Sequence, residues 1–427
     1  MIFFQAKNIL RISKLPFKFL YLVLCAVFAT FGLLLLLIPS NRKRHEGKKV
    51  LCVSHVAISF DGRIKKTANQ IVKLGMDVTI LKPSDVQEDA LLVFSGLDEK
   101  VKIKSIGLSG VFSYFPCVFD IFMFFHILFS KAKYLHCHDI NTAFMGLLSS
   151  KITGQILISD LHEWKSETTN PNNKKEILNI FQKKIYQLIE KILLKKSDFV
   201  ISVNELIAEK MKLSYKIDRN IFIVKNIPEF HELKSYNLRE KLGIEPNFLL
   251  AYYIGHIAPY RNIDQILLAI ARCDNVAFAL QGTIHASYLN SLKEICKNLG
   301  ISDRVFFLPP IAHNLIPSAC QGADVGIFTC HAIAKSMYYS LPNKLFEYIM
   351  GEIPIISEDL PVVRPYIIDN NIGTLINSNL PETIETALNS YVNNREMLKM
   401  QKSSVVSLKE KIIDDKENYL PYALIYA

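Results

Sequence analysis

From Val50 onward, short apolar runs alternate with amphipathic segments, a pattern that restricts the chain to an α/β fold with parallel sheets. The first half predicts strands at 50–54, 77–81, 101–106, 134–138, 156–160, 199–203 and 221–224, with helices between them at 63–74, 142–152 and 174–196. Residues 228–247 hold Pro228, Gly243 and Pro246 among many charges, which predicts a linker at 231–246. A second alternation predicts strands at 249–254, 276–281, 305–307, 325–328, 354–357 and 374–376. The length of 427 residues is enough for two such α/β halves with large cores.

Half of the residues are hydrophobic and the mean hydropathy is +0.20, which is high for a purely soluble protein. Residues 19–38 form an uncharged run of 20 that is long enough to span a bilayer and ends before Pro39. The run exceeds a typical signal-peptide apolar region and no small-x-small cleavage site precedes Arg42, so an uncleaved anchor is expected. Upstream, Ile2, Phe3, Phe4, Ile9 and Leu10 among Lys7, Arg11 and Lys14 suit an interfacial helix. Four Lys or Arg precede the run and five follow it, so charge only weakly favours a cytoplasmic body. The formal net charge of +10 is concentrated here: residues 1–49 hold nine Lys or Arg against Glu46 alone, leaving +2 for the rest. A nearly neutral body argues against a nucleic-acid partner. The eight cysteines are scattered singly without C-x-x-C spacing, which predicts buried thiols in a reducing compartment.

A second apolar segment, 107–130, contains Phe112, Phe115, Phe119, Phe122, Phe124, Phe125 and Phe129 and is followed by Lys131 and Lys133. Pro116, Asp120 and His126 argue against a second span. It reads either as a packed helix or as a hydrophobic face dipping into the bilayer beside an acceptor site. The aromatic density followed by lysines favours the membrane face.

In open α/β sheets ligands collect beyond the carboxyl ends of strands. Those positions are polar here: Ser54-His55, His138-Asp139, Asp160-Leu161-His162-Glu163, Gly255-His256 and Gln281-Gly282. Each pair alone is as readily a helix cap, but several pointing into one crevice are harder to explain that way. The most informative stretch is Pro342-Asn343-Lys344-Leu345-Phe346-Glu347. Pro342 suits a first helical turn, whose free N–H groups and positive dipole end bind a diphosphate. Lys344 adds a full charge, and Glu347 lies one turn on, where a carboxylate accepts hydrogen bonds from a ribose diol. Spacing alone is equally compatible with a surface helix carrying a Lys–Glu pair.

This stretch resembles the donor-binding motif of the retaining family-4 glycosyltransferases of bacterial surface-polysaccharide type. Other segments agree: Val53-Ser54-His55 with Asp61-Gly62-Arg63-Ile64, His136-Cys137-His138-Asp139, Asp160-Leu161-His162-Glu163, Lys225-Asn226-Ile227-Pro228, Tyr253-Ile254-Gly255 followed by Arg261, and Ala323-Asp324-Val325. The similarity covers about residues 50–390. It implies a GT-B fold: two Rossmann-like domains facing a cleft, preceded by a transmembrane or anchor helix. The domains expected are an anchor with basic flanks at 1–48, an acceptor domain at 49–230, the linker at 231–246, a donor domain at 247–400 and a helical tail at 401–427 that packs back on the first domain.

The activity implied is transfer of a sugar from a nucleotide diphosphate sugar to a lipid-linked saccharide acceptor, with retention, by an enzyme in contact with membrane lipids. The resemblance gives the catalytic roles to Arg261, Lys344, His138 and Glu347. It assigns Gly255, His256, Gly282, Pro342 and Asn343 to the donor, and Asp61, Gly62, Arg63, Asp139, His162 and Glu163 to the acceptor side. Many members carry a Glu where this chain has Tyr339, and an Arg where it has His256. No D-x-D occurs, so neither a metal nor another cofactor is expected and metal-independent stabilisation of the leaving group is favoured. The missing carboxylate at Tyr339 leaves room for a catalytically silent scaffold, and a sugar-nucleotide epimerase of the same fold is a second alternative.

Overall fold

The computed structural model describes residues 46–55, 62–83, 96–107, 116–168, 176–228, 233, 236–332, 334–414 and 417–427. The expected anchor at 19–38, the flanking residues up to 45 and Asp61 lie outside the described residues. Among the described residues no helix is long and apolar enough to cross a membrane.

The chain forms two compact units: one runs to Val224 and regains Asn418–Ala427, and the other is Lys225–Glu417. The first holds β1 (Lys49–Val53), β2 (Asp77–Pro83), β3 (Lys102–Ile106), β4 (Tyr134–His138), β5 (Ile156–Leu161), β6 (Phe199–Ser202) and β7 (Phe222–Ile223). They pair in the order β3-β2-β1-β4-β5-β6-β7, and every pairing is parallel. The second unit holds β8 (Leu249–Ile254), β9 (Val276–Gln281), β10 (Val305–Leu308), β11 (Val325–Phe328), β12 (Ile355–Glu358) and β13 (Gly373–Ile376). Their order is β10-β9-β8-β11-β12-β13, again all parallel. Both sheets are doubly wound, and the order reverses between β1 and β4 and between β8 and β11, the places where such sheets receive ligands.

The central strands are buried on both faces, which is why they read as nearly continuous apolar runs. All six residues of β8 and of β9 are buried, and Tyr252, Tyr253 and Phe278 are among the largest enclosed side chains. The helix Asn343–Met350 is fixed over β8 and β11 by Tyr348, whose hydroxyl donates to the Ile327 and Tyr252 carbonyls at 2.8 and 3.3 Å. The six described cysteines are buried free thiols.

Two expected boundaries differ. Residues 231–246 are more than a linker: the helix Leu238–Lys241 forms there, and Leu238 enters the core of the second unit. The tail divides: helix Arg395–Asp414 packs Val405 and Leu408 into the second unit, and helix Leu420–Tyr426 joins the first. Tyr422, Ile425 and Tyr426 lie in the first unit's core beside Ile64, Ala68 and Tyr134. The Tyr422 hydroxyl lies 2.9 Å from Thr67 Oγ1. Truncating so large a buried ring leaves a cavity, so Tyr422→Ala is expected to destabilise the first unit by about 3–5 kcal/mol. The transition of that unit should move to lower temperature while the transition of the second stays in place, as read by calorimetry.

Candidate functional site

In the second unit the expected donor residues converge on the carboxyl end of β8. Gly255 follows this strand at φ +110°, and a Cβ there would sit 2.9 Å from Lys344 Nζ. Gly282 follows β9 at φ +151°, and a Cβ there would sit 1.9 Å from the Gly255 carbonyl oxygen. The two glycines therefore allow two strand ends and a lysine to share a space that side chains would fill. Lys344 enters from the first turn of helix Asn343–Met350, which Pro342 caps without a side-chain hydrogen bond. Its Nζ lies 4.8 Å over the Tyr253 ring. Asn343 Oδ1 accepts from Asn226 Nδ2 at 2.9 Å.

Arg261 ends the short turn Pro259–Arg261. Asn262 holds that turn by donating to Ser378 Oγ at 3.0 Å and Asn379 Oδ1 at 3.1 Å, and Thr329 Oγ1 donates to the Arg261 carbonyl. Arg261 Nε is buried with no hydrogen-bond partner among the described residues. Burial, then the Arg261 charge, pulls Lys344 down to about 7, against the opposing pull of Glu347 and Cys330. A half-buried guanidinium that disfavours the charge on a buried lysine forms a site that an anion would relieve. Glu347 is buried on the same helix, with Oε1 3.9 Å from His313 Nε2. His256 is exposed and its ring lies 3.1 Å from Thr283 Oγ1. Burial and the neighbouring Arg261 and Lys344 lower its pKa, which disfavours the positive charge that an arginine would keep. Tyr339 is half-buried after the helix Lys335–Tyr338, against the Tyr338 ring.

In the first unit the strand-end residues gather around one carboxylate. Asp160, fully enclosed at the end of β5, receives Arg63 Nη2 at 2.6 Å and Nε at 3.1 Å. His138 Nδ1 and His136 Nε2 lie 3.3 and 3.5 Å from its Oδ2. The His136 ring is held from its other side by the Tyr426 hydroxyl, 2.7 Å from Nδ1. His162 Nε2 is 3.1 Å from His138 Nδ1, and its Nδ1 is 3.7 Å from Asp139 Oδ1. Asp139 opens the helix Asp139–Thr153 at φ 69°, a left-handed conformation that costs energy for any residue but glycine.

The charges sort by neighbour. Burial raises the Asp160 pKa, but Arg63 and His162 outweigh it and hold the carboxyl well below its ordinary value. Burial opposes charging His162, yet Asp139 and Asp160 push it up to about 9. His138 is driven down to about 4, chiefly by burial, and His136 is lowered for the same reason. At pH 7 a charged His162 therefore sits beside a neutral His138. His138 Nδ1 can accept from His162 Nε2 or donate to Asp160 Oδ2 according to its tautomer, and the other ring nitrogen of His138 is Nε2. That Nε2 is buried with no hydrogen-bond partner among the described residues. It is a buried polar atom whose hydrogen-bonding capacity a ligand would satisfy.

His136, His138 and Asp160 lie close enough to bracket a metal ion. The donor set does not suit one, because Arg63 occupies both Asp160 oxygens and a second cation stands at His162.

One acceptor-side expectation changes. Arg63 does not line a surface: it is buried, ion-paired to Asp160 and donates to the Val224 carbonyl at 2.7 Å. Gly62 only opens its helix. Glu163 is turned to Lys165. Asp160, His136 and Tyr426 form the centre of the cluster instead, and only the strand-end position of Asp160 signalled this in the sequence.

Residues 234–405 match the family model described as glycosyl transferases group 1. The chain is 24% identical over 176 residues to a D-inositol 3-phosphate glycosyltransferase of Geodermatophilus obscurus, covering 38% of this chain and 37% of that protein. It is 28% identical over 152 residues to an alpha-monoglucosyldiacylglycerol synthase of Streptococcus pneumoniae, covering 35% and 33%. The matches thus span about a third of the length of these relatives. Among solved structures, Anabaena Alr3699/HepE in complex with UDP-glucose superposes with TM-score 0.69 at 14% identity, covering 88% of this chain and 98% of that one. Sucrose-phosphate synthase from Thermosynechococcus elongatus gives TM-score 0.68 at 13% identity, covering 89% and 98%. Residues 234–405 of the second unit are therefore similar to the group 1 glycosyl transferases, and the chain has a GT-B-like fold with two parallel-sheet Rossmann-like units.

The first unit's cluster yields a direct test. Asp160→Asn leaves Arg63 buried without its counter-charge, a loss of about 3–5 kcal/mol for a broken buried pair. The same change removes one of the two carboxylates that raise His162, so histidine NMR should show its titration moving down from about 9. A titration left unmoved would mean that Asp139 alone sets the charge of His162.

Proposed function

We propose that the chain is a membrane-anchored, retaining glycosyltransferase of the family-4 type. In this reading it moves a sugar from a nucleoside diphosphate sugar to a lipid-linked saccharide during cell-surface polysaccharide or lipopolysaccharide synthesis. The observation that carries this reading is the pair Arg261 and Lys344, a half-buried guanidinium and a buried lysine beside an open helix start at the switch point of the second sheet. Breaking a glycosidic C–O bond develops positive charge on the sugar and negative charge on the departing diphosphate. Cations and backbone N–H groups already in place at that diphosphate stabilise the transition state with no reorganisation at the moment of reaction. The same cations supply what a divalent metal would, which favours metal-independent chemistry.

Glu347 holds the ribose, and His138 offers its Nε2 for a hydrogen bond with the donor sugar or acceptor. Asp139, His162 and Glu163 serve the acceptor side. The group 1 match and the UDP-glucose bound to Alr3699/HepE support a nucleotide-sugar donor. A glycolipid synthase among the relatives supports a lipid-borne acceptor. The uncharged run at 19–38 serves as the anchor and confines the enzyme to the plane of that acceptor, raising its effective concentration. Nucleotide sugars are made in the cytosol, so the body lies on the cytoplasmic face. Tyr339, standing where a carboxylate is common, favours one second reading, a silent scaffold.

Full-length protein with native lipid extract and a panel of UDP-, GDP- and dTDP-sugars separates these readings. One donor should release its nucleotide and give a product heavier by one sugar, and Arg261→Ala or Glu347→Ala should slow that transfer about 100-fold or more. Donor conversion without nucleotide release identifies an epimerase. Folded protein that turns over no donor in the presence of a competent acceptor supports the scaffold.

A further inference from the structure

The helix Pro116–Leu128 has two unlike faces. Met123, Phe124 and Ile127 are buried, whereas Phe122 and Phe125 are nearly half exposed and Phe129, just past the helix end, is 76% exposed. The exposed rings recur at i, i+3 and i+7 and so form one stripe. Phe125 and Phe129 stack with centroids 6.1 Å apart. The buried face matches the packed-helix reading, and the exposed face leaves a hydrophobic stripe uncovered by the described residues. The stripe borders a groove that also takes in Leu51, Thr79, Lys49, Lys102 and Lys104, with Asp77 as its acid.

Lysines on β3, an edge strand, guard against strand pairing, but that role does not call for three phenylalanines beside them. Aromatic rings next to several ammonium groups match the boundary between acyl chains and phosphates in an anionic bilayer. The segment before residue 19 suits the groove poorly, because its Lys7, Arg11 and Lys14 would be brought against Lys49, Lys102 and Lys104. The location is also informative. Lys49, Asp77 and Lys102 open β1, β2 and β3, so this surface lies at the amino ends of the strands, whereas the His138 cluster lies at the carboxyl ends. The chain enters the unit at that same end, through β1.

We propose that Phe122, Phe125 and Phe129 with Lys49, Lys102 and Lys104 form a docking surface for anionic phospholipid, a second membrane contact beside the entry of the chain into the first unit. It deepens the membrane association proposed above and is independent of sugar transfer. The surface binds the bilayer with the amino-terminal edge of the sheet, not beside the acceptor residues.

Tryptophan quenching tests this on the full chain. Trp164 is the single native tryptophan and is buried, which gives a constant background. Full-length Phe129→Trp, and independently Phe125→Trp in case one fails to fold, is placed in nanodiscs whose lipids carry bromine on their acyl chains. In phosphatidylglycerol discs the new tryptophan should be quenched several-fold more than one introduced at exposed Leu213. Lys102→Glu with Lys104→Glu, or a change to phosphatidylcholine, should remove most of that difference. Quenching no stronger than at Leu213, or indifferent to lipid charge, overturns the proposal. A blue-shifted, unquenched signal in every lipid would place the chain's own segment in the groove, and a signal that changes with protein concentration would place a second copy there. Either result also overturns it. Nucleotide release from the active donor, measured in parallel, reports separately on transfer.

Discussion

A doubly wound parallel sheet leaves one region near its carboxyl edge uncrossed by its connections, where the strand order reverses. Both units obey that constraint, and nearly every polar side chain of interest is placed by it. Gly255 follows β8, Lys344 reaches the end of the same strand, and His138 and Asp160 end β4 and β5. What differs is how each unit balances the charge gathered there. In the first, Arg63 and His162 are answered by Asp160 and Asp139, so the cluster is nearly neutral and internally bonded. In the second, Glu347 and Cys330 offset the charges of Arg261 and Lys344 in part, and Lys344 yields by losing affinity for its proton.

That contrast divides the work. A compensated network holds geometry: Arg63 and Tyr426 fix Asp160 and His136, these fix His138, and His138 Nε2 is left without a partner among the described residues. A partly compensated pair stores electrostatic strain that an incoming anion relieves. The first arrangement suits orientation and hydrogen bonding to a neutral sugar hydroxyl, and the second suits a diphosphate.

Much of this was legible in the sequence because period and punctuation are local. The strands at 134–138, 249–254, 276–281 and 325–328 were readable to the residue, since buried parallel strands are short apolar runs ending in polar residues. Lys344, Glu347 and Gly255 were legible for the same reason. Partners distant in the chain were not. Tyr426 stands 290 positions from the histidine it holds, and no period links them. Arg63 reads as an acceptor-side residue by resemblance, because nothing near it in sequence reveals that its guanidinium turns inward to Asp160. The left-handed Asp139 and the two faces of helix Pro116–Leu128 likewise depend on tertiary packing.

The central claim is that Arg261 and Lys344 await a diphosphate, and Lys344 carries a thermodynamic signature of it. With its pKa lowered to about 7, Lys344 is mostly neutral at pH 8, and a bound diphosphate favours the charged form and raises that pKa. Binding should then draw a proton from solution. Calorimetry of nucleoside diphosphate binding at pH 8, in two buffers of different ionisation enthalpy, measures this directly. The account predicts proton uptake by the native protein and none by Lys344→Arg, whose guanidinium stays charged throughout. Binding of the diphosphate with no proton uptake, or with uptake unchanged in Lys344→Arg, would contradict it.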